Sequence, residues 1–132
     1  MNTSFWYLAT PYSKYPLGID AAFQLAVAQR GLLVKAGVPV FSPIIHSHPV
    51  AVQCGIDPFD YNIWLPSEDP ILRSASGIIM VRAEGWEYSF GMNHERIQFE
   101  DACKPVVWMD PDIMPPELMI QLKPDIDQSQ CF

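Results

Sequence analysis

The stretch Gly77-Ile78-Ile79-Met80-Val81, followed by Gly85-Trp86-Glu87-Tyr88-Ser89-Phe90-Gly91-Met92-Asn93-His94-Glu95, decides the fold. An uncharged apolar run of this length reads as a strand buried on both faces, the pattern of a parallel sheet. A loop follows, then a segment that reads as a helix from about Phe90 to Ala102 and stops before Pro105. This order puts a carboxylate, Glu95, close to a helix start, where the helix dipole and backbone N–H groups favour negative charge. Side chains lean back toward the helix start, so Glu95 is expected to lie over Gly91, which has no side chain to obstruct a ligand.

Working outward, residues 4 to 9 read as a buried strand, and Pro11, Pro16 and Gly18 mark a loop. Asp20 is the expected N-cap of a helix from Ala21 to Ala36, with apolar residues at Phe23, Ala26, Val27 and Leu33 or Val34, and Gly37 as its stop. Val38-Pro39-Val40-Phe41 reads as a short strand that its proline places near a sheet edge. Residues 43 to 58, rich in Pro, His and Gly, read as a loop. Asp57 to Leu65 is expected to form a short helix, and Pro66-Ser67-Glu68-Asp69-Pro70 to open another that runs through Ser74. Val106 to Met109 is a fourth strand, and Glu117 to Leu122 a last helix. Strands alternating with helices imply a single α/β domain over residues 1–132, with a core of about 4–123 and a polar tail of 124–132. The architecture is a doubly wound parallel sheet with helices on both faces. Ligands of such sheets bind beyond the carboxyl ends of the strands, the edge where Tyr7–Ser13, Phe41–His48 and Arg82–Ser89 leave.

Composition narrows the partners. The chain has 132 residues, 49% hydrophobic and 17% charged, with a net charge of −7. One domain of this length buries a substantial core. No basic cluster occurs, which argues against long nucleic acids, whose phosphates need many Lys and Arg contacts. Cys54, Cys103 and Cys131 are odd in number and lack a CxxC or metal-like spacing. No leader-like N-terminus and no apolar run of membrane-spanning length is present. The expectation is a soluble, cytoplasmic protein with no membrane association.

The motifs Tyr7-Leu8-Ala9-Thr10-Pro11-Tyr12-Ser13, Asp69, and Trp86-x-x-Ser89-x-Gly91-x-x-x-Glu95 together resemble the nucleoside 2-deoxyribosyltransferase superfamily. That superfamily includes the 2′-deoxynucleoside 5′-phosphate N-hydrolases. The resemblance covers most of residues 5 to 110 and implies a flavodoxin-like fold. It also implies Glu95 as nucleophile or cation stabiliser beneath C1′, Asp69 as proton donor or base contact, and Tyr7 as the hydroxyl that orients the carboxylate. Glu68 is an adjacent rival to Asp69. The chemistry suits these types: breaking an N-glycosidic bond builds oxocarbenium charge that a carboxylate can stabilise or trap.

Ser89 is the discriminating position. Transferases acting on free nucleosides resemble this motif but carry an acidic residue there, whereas the monophosphate hydrolases carry serine, which tolerates a phosphate. The resemblance therefore implies a small nucleotide or nucleoside ligand, cleavage or transfer without a cofactor, and a homo-oligomer, since the family builds its sites at dimer interfaces. Trp86 is placed to stack on a base or pack on the sheet. Thr10 and Ser13, with Lys14, are candidate sugar or phosphate contacts, and His46 borders the expected pocket. His46-Ser47-His48 lacks a clear third ligand and is not read as a metal site. Asp57, Asp60, Tyr61 and Trp64 lie where a base could be gripped or a core patch formed. The glycine-rich first loop of the phosphate hydrolases is replaced here by Ala9-Thr10-Pro11-Tyr12. Two other classes remain: a nucleotide-sensing module without turnover, and a different glycosidase, either a cytokinin nucleotide phosphoribohydrolase, whose Pro-Gly-Gly-x-Gly-Thr loop is absent, or an NAD-cleaving enzyme.

Overall fold

The computed structural model describes residues 4–122. Strands β1 (Trp6–Ala9), β2 (Val40–Phe41), β3 (Gly77–Val81) and β4 (Val106–Met109) pair in parallel in the order β2-β1-β3-β4. Register sets Tyr7 beside both Phe41 and Ile78, and Ile79 beside Val107. The expected polar tail lies outside the described residues.

Every residue of β3 is buried, because it is an inner strand covered on both faces. Alternation then sorts the side chains into two cores. Leu8, Val40, Ile79, Val81, Val107 and Met109 pack on one face with Leu33 of helix α1 (Ile19–Lys35) and Leu118 of α5 (Pro116–Leu122). Tyr7, Ala9, Ile78 and Met80 pack on the other with Leu72 of α3 (Tyr61–Ser74) and with Met92 and Phe99 of α4 (Phe90–Asp101). Each fully buried aliphatic side chain contributes about 1.5–3 kcal/mol of transfer free energy. The result is a doubly wound, flavodoxin-like α/β fold. Its strand order reverses between β1 and β3, which opens a crevice at their carboxyl ends.

Three sequence expectations change. The first concerns residues 43 to 58, expected as a loop: Pro43–Cys54 is helix α2. Ser42 caps it by accepting a hydrogen bond from Ile45 N at 3.3 Å, Pro43 fits the first turn, and Gly55 closes it in the left-handed conformation. The second concerns the two short helices around Pro66, which are one continuous helix, α3, with Pro66 and Pro70 inside it. Asn62, Pro66 and Pro70 all lie on its exposed side, so the carbonyls that lose an N–H partner face water instead of the core. The third is Asp20, which does not cap α1. The helix starts at Ile19, and the Asp20 carboxylate instead meets His48 at 3.0 Å. The buried stripe of α1 is accordingly Ala22, Ala26, Gln29 and Leu33, while Val27 and Val34 are exposed. Gln29 is satisfied there by the side chain and backbone N–H of Asp112, at 2.9 and 2.7 Å.

Candidate functional site

One cleft lies at the carboxyl ends of β1 and β3, and five segments wall it, among them the α2–α3 connection with Pro58. The β1–α1 connection brings Thr10, Tyr12 and Ser13; α2 brings Pro43, Ile44 and Ser47. Helix α3 presents Tyr61, Trp64, Leu65 and Glu68, and the start of α4 presents Ser89, Gly91, Met92 and Glu95.

Glu95 occupies an unusual place for a carboxylate. The buried residues of α4 are Met92, Glu95 and Phe99, one face at helical spacing, so Glu95 stands where the pattern would otherwise put a core residue. Only 8% of its surface is exposed. Burial, and then the Glu68 charge, push its carboxyl up to about 8, against a smaller downward pull from the Tyr7 hydroxyl. Glu68 is itself pushed up to about 7 by burial. The two carboxyls face one cleft and titrate as a pair, so near neutrality they hold about one proton between them.

Tyr7 is completely buried in β1. Its ring is wedged between Phe41 and Phe99, at centroid distances of 6.0 and 5.9 Å. Burial raises its phenol far above the ordinary range, and the Glu95 charge raises it further. Its Oη has no partner within hydrogen-bonding distance. It nevertheless lies close enough to Glu95 for its dipole to favour the ionised carboxylate. Tyr7 thus sets a buried, unpartnered hydroxyl near the Glu95 carboxyl. Tyr7 itself lies behind the cleft wall, whereas Thr10 is part of the wall, and its buried Oγ1 is without a partner, a hydroxyl left over for a ligand.

Ser89 caps α4, its Oγ accepting from Met92 N at 3.2 Å, and it lines the cleft while nearly buried. A Cβ built on Gly91 meets nothing within 4 Å, so the space above this residue is open. Gly85, just upstream, has φ +92 and sits so close to the Lys14 carbonyl that a Cβ there would collide with it. This contact fixes the loop after β3 against the loop after β1, and both carry cleft residues.

Other candidates lie elsewhere. Asp69, one residue on from Glu68, is absent from the cleft wall and pairs with Arg73 at 2.7 Å on the outer side of α3. The cleft-facing spacing Tyr61, Trp64, Leu65, Glu68 is one helical face, and that face selects Glu68. Trp86 packs edge-on against Trp108 at 5.3 Å and against the sheet, outside the cleft wall. His46 is exposed beside Phe41. Because residues 43–54 are helical, His46 and His48 point in different directions and do not converge on one ion.

One pairing beside the cleft is not foreseen from the sequence: His48, in the stretch expected to border the pocket, is buried and its Nδ1 lies 2.6 Å from the Tyr12 hydroxyl. Tyr12 itself lines the cleft, and its hydrogen-bond partner comes from α2, 36 residues along the chain.

A family model described as a domain of unknown function (DUF1937) matches residues 4–111. The chain belongs to that family. No curated protein matches it. The matched span contains all the strands and every residue of the cleft wall, while the family description assigns no reaction to them. Among the described residues no helix is long and apolar enough to cross a membrane.

Proposed function

We propose that this protein cleaves, or transfers across, the N-glycosidic bond of a 2′-deoxynucleoside 5′-monophosphate. The observation that carries the reading is Glu95: a carboxyl set into the buried stripe of a helix, opening on a cleft beside a second carboxyl and under a tyrosine hydroxyl. An acid in a core position costs stability, and such perturbed groups cluster where a ligand uses them.

The roles divide as in retaining glycosidases. With one proton shared by the pair, the productive arrangement has Glu95 ionised and Glu68 protonated. At rest the higher carboxyl, Glu95, keeps that proton, so the productive arrangement is the minor one. The Tyr7 dipole offsets part of its cost by pulling the Glu95 carboxyl down. The Glu95 carboxylate attacks C1′, the C1′–N bond breaks with its electron pair passing to the base, and the Glu68 proton goes to the base nitrogen. The resulting ester at C1′ is then opened by water, whose proton returns to Glu68, or by a second base, whose N–H proton does the same. Water gives hydrolysis and a base gives transfer. No metal or organic cofactor enters either step.

The 5′-phosphate is assigned to the first turn of α4, where Ser89 and the helix N–H groups can receive an anion. A second reading, a free 2′-deoxynucleoside, is favoured by the charge of the cleft. Among the described residues its wall holds two carboxylates and no Lys, Arg or His.

The test is release of free base from a panel of ribo- and deoxynucleosides and their monophosphates, followed by chromatography, with Glu95→Ala in parallel. Base released only by wild type supports the reading, and the preferred panel member decides between phosphate and nucleoside. Release that survives in Glu95→Ala overturns the assignment. Silence across the panel, with and without an acceptor base, points to a binding module.

A further inference from the structure

Two segments that build the cleft, the β1–α1 connection and α2, meet helix α1 at a side chain the proposed reaction does not use. His48 of α2 is 6% exposed. Its Nδ1 lies 2.6 Å from Tyr12 Oη and its Nε2 lies 3.0 Å from Asp20 Oδ1. One face of its ring stacks on Phe23 of α1 at 4.9 Å. Tyr12 belongs to the cleft wall, and its ring also meets Phe59 edge-on at 5.8 Å. Asp20, whose side chain is 92% exposed, is the end of the row that touches solvent.

The row has a direction. A carboxylate only accepts, so the proton on the Asp20 side belongs to Nε2. In the neutral ring Nδ1 is then an acceptor, and the Tyr12 hydroxyl donates its hydrogen bond to it. The phenol oxygen is left as an acceptor toward its surroundings. When the ring gains a second proton, Nδ1–H donates to Oη instead, and the Tyr12 hydrogen is released to point elsewhere. Both bonds survive, but the polarity that Tyr12 offers is inverted. Asp20 and Tyr12 are the titratable groups against the ring, and Phe23 supplies an apolar face.

We propose that His48 is a positioning residue that sets the hydrogen-bond polarity of Tyr12 in the cleft wall, and so couples ligand binding to its own protonation. With His48 neutral, Tyr12 accepts from a donor on the ligand, such as a sugar hydroxyl or a base N–H. With His48 protonated, that contact is lost. The inference needs only that the cleft binds a ligand. It does not depend on Glu95 being a nucleophile.

Two measurements test it. The first uses ligand-free wild type with 15N-labelled histidine. The expected result is an Nε2-protonated tautomer for His48 above its midpoint, and a Tyr12 hydroxyl proton protected from solvent exchange that loses its Nδ1 coupling below the midpoint. An Nδ1-protonated neutral ring, or a freely exchanging Tyr12 hydroxyl, overturns the proposal whether or not any ligand is known. The second measures calorimetric binding of 2′-deoxynucleosides and their 5′-monophosphates to Glu95→Gln, which prevents turnover, with and without His48→Asn. Asn keeps an acceptor for Tyr12 and does not titrate. Affinity of the single variant should fall roughly two- to tenfold, the worth of one hydrogen bond, as pH drops through the midpoint seen by NMR. The double variant should hold its alkaline affinity and lose that step. An identical pH step in both overturns the proposal. If no panel member binds, the nucleoside reading fails and the NMR result alone decides this one.

Discussion

The two flanks of the cleft carry the same kind of work with opposite sequence clarity. On one side, β3, the following loop and α4 form one continuous stretch, Gly77 to Asp101. It contains an apolar strand, a capping serine and a helix with a carboxyl in its buried stripe. Every signal there is local. On the other side, α2 and α3 contain three internal prolines between them, Pro49, Pro66 and Pro70. Local propensity argues against both helices, and tertiary burial overrides it. Helix α3 survives because its proline-facing side is wet, and α2 because its two ends are capped. The lesson is that proline tells where a helix can expose its backbone more reliably than where it must end.

That difference decides which carboxylate the sequence reveals. Glu95 is legible because its helix is. The choice between Glu68 and Asp69 requires the phase of α3, and breaking the helix at Pro66 discards the phase. Carried through the prolines, the spacing 61, 64, 65, 68 and 72 sets Glu68 in line with Trp64 and Leu72, both buried. The Tyr12–His48–Asp20 row is not legible by any local rule, since its partners are 36 and 28 residues apart.

The comparison can be broken first at Glu95. Its folded carboxyl stands at about 8, above its ordinary value of 4.5. Between those values the folded protein keeps a proton that the unfolded chain has lost, so stability falls as pH rises and the full penalty is present above 8. Glu95→Gln should therefore leave stability unchanged near pH 4 and raise it by a few kcal/mol near pH 9, on the scale of roughly 1.4 kcal/mol for each tenfold change in proton affinity. Urea unfolding at the two pH values checks this. An unchanged or lower stability at pH 9 would remove the argument that this residue is held for function. The same pairing predicts a narrow bell for kcat/KM between about pH 7 and 8, where the two carboxyls share one proton.

Next comes the neighbouring pair on α3. Glu68→Gln should lower turnover by about a hundredfold, the scale of one general acid, and should lower the Glu95 midpoint by removing a like charge. Asp69→Asn should change turnover less than about threefold, because its exposed ion pair with Arg73 is worth roughly 1 kcal/mol or less. The reverse order would mean that the phase of α3 is wrong.

Gly85 and Gly91 sharpen the α4 flank. Gly85→Ala places a side chain at φ +92 and against the Lys14 carbonyl, so a loss of about 1–3 kcal/mol is expected from thermal melts. Gly91→Ala points into open space and should melt like wild type, or slightly above it, because alanine favours a helix. Its effect should be confined to ligand affinity. A variant that melts low at position 91 would place that residue in packing instead of at the cleft.

The smallest effect tests the proline argument itself. Pro66 removes the N–H that would otherwise reach the Asn62 carbonyl, and both residues are on the exposed side of α3. If water satisfies that carbonyl, Pro66→Ala regains a helical hydrogen bond and a favourable propensity. It also surrenders the restriction proline imposes on the unfolded chain, about 0.4–1 kcal/mol. Those terms oppose each other, so the net change should be a gain of about 1 kcal/mol or less, a shift of a few degrees in Tm for a domain of this size. The cleft should not feel it, since Glu68 keeps its place on the opposite face. A large loss of stability would mean that Pro66 supports α3 by packing, and the sequence would then have marked a real boundary at that residue.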